Sequence, residues 1–235
     1  VLENGAKVII YPTTLSQDQI LFSAFSPGGV SLLPEKDLAS SQIATVLAKN
    51  SGLADFKVTD LQKQLSGKTV KVSPFISEHY EGFSGSAVKK DLETLLELTY
   101  LYFKNPRFET TAYKRIIDYY NNALENVTEN NSKIFGDTIA LLDSNHSKRT
   151  FLLSKENLGE LKFDEASKIY RERIANASDF TFVFVGNIAD KDLEVINKYL
   201  GNVAGNHTQE KFVDHKIGIS KAFAKEKLIR EMGVP

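Results

Sequence analysis

Between residues 68 and 87 the apolar side chains recur with a period of two. Val70, Val72 and Ile76 alternate with Lys71, Ser73 and Ser77. Successive side chains of a strand point to opposite faces, so this segment reads as a strand with one apolar and one polar face. A second strand, about 78–86, follows with almost no connector, which predicts antiparallel pairing. The apolar face of such a strand demands a covering layer, and the rest of the chain supplies candidates for it.

Two long helices are predicted next. The first, about 89–103, places Leu92, Leu95, Leu96, Thr99, Tyr102 and Phe103 on one stripe. The second, about 111–126, turns Tyr113, Ile116, Ile117, Tyr120 and Leu124 inward, and the spacing suggests an αα-hairpin. The aliphatic residues of both, Leu95, Leu96, Ile116 and Ile117, are expected to roof Val70, Val72 and Ile76. A third helix, 35–50, carries Ala39, Ile43, Val46 and Leu47 at helical spacing and stops at Ser51-Gly52. Further strands are read at 8–11, 19–25 and 180–185, the last as the clearest buried run, and further helices at 165–175 and after Asp190. Helices that alternate with strands, beside strands that adjoin directly, argue for an α+β sandwich with a mixed sheet and against a doubly wound parallel one. After Asn206 the pattern degrades, giving one domain over residues 1–206 and a linker, or the start of a further domain, over 207–235.

Composition excludes several classes of function. The 235 residues carry a formal net charge of −1, so no overall field favours nucleic acid or an anionic membrane. There is no cysteine, hence no disulfide, thiol nucleophile or thiolate metal site. No apolar run approaches the roughly 18 residues of a membrane span. The four histidines are His79, His146, His207 and His215, and no two stand three to five residues apart as a chelating helical pair. On a strand His79 and Glu81 would share a face, but two ligands without a third make a poor metal site. Ser84-Gly85-Ser86 lacks a nucleophile elbow. Gly67-Lys68-Thr69 ends like a phosphate loop, but Gln62 stands where its first glycine is required.

Three phrases occur in order: Leu2-Glu3-Asn4-Gly5-Ala6-Lys7-Val8-Ile9-Ile10, Phe25-Ser26-Pro27-Gly28-Gly29, and Phe182-Val183-Phe184-Val185-Gly186-Asn187. In this the chain resembles one domain of the pitrilysin/insulinase family of zinc metallopeptidases, the inverzincins, over nearly its whole length, with a look closest to bacterial zinc proteases. The resemblance implies a metallopeptidase-like, processing-peptidase-type fold: a two-layer α+β sandwich whose mixed, largely antiparallel sheet has helices packed on one face. Active members carry H-x-x-E-H on the helix after the glycine pair, with two zinc ligands and a glutamate that activates water. Here that helix reads Ser40-Ser41-Gln42-Ile43-Ala44. Ser40, Ile43 and Ala44 take the three motif positions, and Ser40 and Ser41 read as small fillers on a partly exposed helix. The family's third ligand, a downstream glutamate, falls near Tyr119-Tyr120-Asn121-Asn122, with Glu125 beyond.

The resemblance therefore implies a non-catalytic domain, inactive alone and without a metal of its own, of a zinc metalloendopeptidase that helps to enclose and bind peptide substrate. Zinc is expected in a catalytic domain elsewhere in the parent protein. Partners would be homologous domains of the same protein or a partner subunit, together with peptide. In the family the sheet face turned away from the helices lines the substrate chamber, which makes Lys71, Ser73, Phe75 and Ser77 the candidate substrate contacts. The likeness to bacterial exported proteases gives a periplasmic or cell-envelope location. The alternative is a non-proteolytic scaffold of the same fold, as among respiratory-chain core subunits. The start at Val1 rather than methionine gives the expectation of a removed upstream segment, and the stop at Pro235 that of a truncation.

Overall fold

The computed structural model describes residues 1–13, 15, 18–125, 130–218 and 227. Five strands form one sheet: β1 (Lys7–Pro12), β2 (Gln19–Pro27), β3 (Val70–Ile76), β4 (Tyr80–Val88) and β5 (Thr181–Gly186). Their spatial order is β1-β5-β2-β4-β3. β1 runs parallel to β5, whereas β5–β2, β2–β4 and β4–β3 are antiparallel. The sheet is thus mixed and largely antiparallel. The helices are α1 (Leu38–Ser51), α2 (Val58–Gln64), α3 (Leu92–Lys104), α4 (Thr110–Glu125), α5 (Asn131–Asp143), α6 (Phe163–Arg173) and α7 (Asp190–Leu200).

Strand register sorts the side chains into a covered and an open face. Phe22 lies opposite Phe184 on one side and Gly85 on the other, while Ala24 lies between Phe182 and Phe83. All of these except Gly85 are buried, as are Ile20, Ala87 and Val72 in the same face. Phe22 packs against Phe182 and Phe184, and Phe83 meets Phe103 and Phe180, so an aromatic seam joins the sheet to α3. α1 and α3 lie over β3, α6 packs on α1 and α7 on α3. The intervening residues Ile9, Tyr11, Leu21 and Phe25 belong to the opposite face and remain exposed.

Two expectations are modified. α3 roofs β3 as its apolar stripe requires, but α1 supplies the rest of that roof, and α4, with Ile116 and Ile117, packs on α1. The spacing of apolar residues in α4 defined its buried stripe without defining its partner. The continuous run in β5 is not buried on both sides: Phe182 and Phe184 are, whereas Thr181, Val183 and Val185 are half-buried on the open face. A run of apolar residues cannot by itself distinguish a strand covered twice from one covered once.

Truncating Phe83 to alanine is expected to cost about 3–5 kcal/mol by the cavity rule for buried aromatics. Lys71→Ala, on the open face, is expected to stay within about 0.5 kcal/mol of wild type. Urea denaturation of the two variants checks both values, and a larger loss for Lys71→Ala would reverse the assignment of faces.

Candidate functional site

The helix aligned with the zinc-binding helix of active relatives is α1, and its three motif positions point into the protein. Ser40 is 1% exposed, and Ile43 and Ala44 are fully buried. Ser40 is more than a filler. Its Oγ donates to the Glu160 carbonyl at 3.1 Å and accepts the Lys162 N–H at 2.9 Å. Lys162 directly precedes α6, so Ser40 ties α1 to the entry of the helix that packs on it. Ser41 is buried as well and donates to Leu38 O at 2.7 Å. The expectation of a partly exposed helix here is corrected: α6 covers that surface, which apolar spacing within α1 could not reveal.

The part of α4 aligned with the third ligand of active relatives lines a cleft against α1. Val46 and Asn50 of α1 face Ala112, Arg115, Ile116, Tyr119 and Tyr120 of α4 across a cleft of about 330 Å3. Its lining offers neither carboxylate nor imidazole. Among the described residues no group of three or more His, Asp or Glu side chains is arranged to hold a metal ion. A serine, an isoleucine and an alanine cannot replace two imidazoles and a general base, so zinc does not fit these positions of α1 and no hydrolytic step is assigned to them.

The four candidate substrate contacts fall in two places. Lys71, Ser73 and Phe75 lie on the open face of β3, opposite Ser86, Ser84 and Gly82 of β4. Ser77 lies past the end of the strand, where its N–H and Oγ both bond Tyr80 O at 2.7 Å to close the β3–β4 turn. Beyond Lys71, Ser73 and Phe75 the face widens into Leu21 and Phe25 of β2 and Ile9 and Tyr11 of β1, the last 65% exposed. Tyr80 meets Phe25 edge-on at 6.3 Å.

One charged centre was not legible in the sequence. Glu81 is not on a shared strand face with His79. It points into the protein at 1% exposure, while His79 lies in the turn with its ring 4.7 Å from Phe212. The Glu81 carboxylate accepts the Gly29 N–H, and Arg173 Nη1 lies 3.8 Å away. Gly29 sits at φ +60°, and a Cβ there would fall 2.2 Å from Ser77 O, so the position requires glycine. Burial pushes the Glu81 pKa up from 4.5 to about 7, against the Gly29 hydrogen bond and the Arg173 charge, which pull it down. Burial likewise raises Asp179.

No family model matches the sequence. The probable zinc protease PqqL of Haemophilus influenzae is 22% identical over 218 residues, covering 90% of this chain and 23% of that protein. The crystal structure of the periplasmic protease PqqL from Escherichia coli superposes with a TM-score of 0.78 at 20% identity, over 95% of this chain and 25% of that one. The inactive domain of an M16 peptidase from Pseudomonas fluorescens superposes with a TM-score of 0.69 at 14% identity, over 90% of this chain and 52% of that one. The chain thus spans about a quarter of the length of the proteases it resembles. The fold is that of a zinc-peptidase domain, carried by a sequence without the zinc motif. In sequence and fold the chain is similar to domains of the pitrilysin/insulinase (M16) zinc peptidases, among them one described as an inactive domain.

Two predictions follow from these centres. Restoring the motif with Ser40→His, Ile43→Glu and Ala44→His is expected to unfold the domain rather than create a zinc site. The change buries a carboxylate at a fully covered position and breaks the Ser40 clamp. Circular dichroism and metal analysis after dialysis against zinc read the outcome, and a folded variant with one tight zinc would overturn it. Glu81 sets a pH dependence of opposite sign to that of an ordinary salt-bridged carboxylate. Its folded pKa lies above its unfolded one, so its contribution is fully present below about 4.5 and is lost as pH rises to about 7. Glu81→Gln is therefore expected to gain on the order of 3 kcal/mol relative to wild type between pH 4.5 and pH 8. Denaturation midpoints of both proteins at the two pH values measure it, and an unchanged difference would contradict it.

Proposed function

We propose that this domain helps to enclose and bind peptide for a zinc metalloendopeptidase whose catalytic centre lies in another domain, of the same protein or of a partner subunit. One observation carries the reading: the sheet leaves a whole face open, with Ile9, Tyr11, Leu21 and Phe25 exposed on it, while the helix face that would hold zinc is packed shut. Apolar and aromatic side chains exposed together mark an interaction surface. Lys71, Ser73 and Phe75 form one border of that surface, on the edge strand β3. An edge strand offers backbone groups to an extended peptide with little sequence preference. Pro74, which has no N–H, interrupts that edge.

Residues 1–206 form the domain in this reading, and 207–235 lead towards a homologous one. A periplasmic or cell-envelope location in a bacterium is part of the proposal, and the likeness to the Escherichia coli PqqL protease, described as periplasmic, supports it. Among the described residues no helix is long and apolar enough to cross a membrane.

The test uses the full-length parent. Phe75→Ala and Lys71→Glu are expected to lower kcat/KM for peptide cleavage roughly five- to tenfold, the equivalent of about 1 kcal/mol of contact. The thermal midpoint should stay close to wild type. Unchanged kcat/KM in both variants would remove peptide contact from this face and favour a purely scaffolding role.

A further inference from the structure

Two carboxylates share one guanidinium, and a third lies beside them. Arg173, the last residue of α6, donates from Nη1 and Nη2 to Glu210 at 2.6 and 3.0 Å, and Nη1 also lies 3.8 Å from Glu81. Asp179 accepts the Glu210 backbone N–H at 3.0 Å. Glu81 is buried and Arg173 half-buried, whereas Glu210 is exposed. With all three acids ionised the cluster would carry two net negative charges around a half-buried arginine, so retaining one proton there lowers the electrostatic cost.

Glu210 belongs to a segment without helix or strand, 207–217, that nevertheless lies along the domain. Asn176 Nδ2 donates to Thr208 O at 3.1 Å, and the Val213 N–H donates to Ser31 Oγ at 2.9 Å. His215 Nε2 lies 2.7 Å from Ser31 O. The Phe212 ring packs on His79 and, at 6.3 Å, on Tyr80.

We propose that residues 207–217 form a strap latched to the domain through Arg173, and that the proton on Glu81 governs how firmly the strap is held. The proposal does not depend on peptide binding. With the strap seated, Glu210 shares Arg173 with Glu81 and adds a like charge beside it. With the strap lifted, Glu210 departs, Arg173 is left to Glu81, and water reaches the site. Glu81 therefore holds its proton more tightly in the seated state, and by linkage acid favours seating. Glu81 in the seated state titrates near 7, so seating weakens as pH rises towards 7 and levels off above it.

The groups facing Glu81 account for this sign. Arg173 comes from α6, Asp179 from the turn before β5, and Glu210 from the strap, while Ser26 and the Gly29 N–H are neutral donors. Glu172 acts on Arg173 from the neighbouring position. His79 meets the strap at Phe212, and His215, on the strap, meets Ser31 of the domain, so a histidine-driven change would survive removal of the Glu81 charge.

Amide hydrogen exchange of the 235-residue chain at pH 5 and pH 8, corrected for intrinsic rates, tests the proposal. Protection of the Glu210 and Val213 amides should fall by about tenfold or more in wild type, one pH unit of linkage. It should fall much less in Glu81→Gln. An equal fall in that variant would overturn the proposal. A second measurement stands if Glu81→Gln folds poorly: carboxyl NMR titration of Glu81 with and without Glu210→Gln. The variant should lower the Glu81 midpoint by about half a pH unit, and an unmoved midpoint would show that strap and proton are uncoupled.

Discussion

The aromatic seam between sheet and helices is the contact on which the remaining structure rests. Phe22, Phe182 and Phe184 project from adjacent strands, and Phe83 from β4 meets Phe103 of α3. Burying each of these rings contributes about 1.5–3 kcal/mol, more than any exposed ion pair in the molecule. Period-two alternation puts all of them on one face, so the same alternation delivers the other set of side chains to the opposite face. The open face is therefore a necessary by-product of how the core is built. Its apolar character is not: Ile9, Tyr11, Leu21 and Phe25 occupy positions where polar residues would fold as well.

The three positions of α1 aligned with the zinc motif are taken up by packing. A zinc site needs side chains held apart around an ion, with donors left free for it. In this chain Ser40 spends its donor and acceptor on Glu160 and Lys162, while Ile43 and Ala44 add apolar contact. Tyr113 of α4 donates to Leu161 O at 2.6 Å, drawing a second helix to the same short connection. α1, α4 and α6 are thus secured around residues 160–162. These contacts occupy the helix that aligns with the zinc-binding helix of active relatives.

Much of this was legible in the sequence. Alternation in β3 gave the correct assignment of Val72 and Lys71 to opposite faces, because one slipped residue would have placed lysine in the core. The quoted phrases carried the resemblance, and the residues at the motif positions showed that α1 lacks the zinc ligands. What escaped were contacts between residues far apart in the chain. The burial of Ser40 depends on α6, more than 120 positions away. The position of α4 on α1 depends on which of several apolar stripes fit together. Glu81 looked like an exposed strand residue because its partners, Gly29, Arg173 and Glu210, come from three other segments. A buried acid among polar neighbours has no local sequence pattern.

The central claim is that this domain contributes a surface and no chemistry. Its most direct test is diffraction at the zinc absorption edge from crystals of the full-length parent with a bound peptide. The account predicts anomalous signal outside this domain and peptide against the open face, near Lys71 and Phe75. Zinc on α1 beside Ser40 and Ala44, or an open face sealed by another domain with no peptide near it, would contradict it.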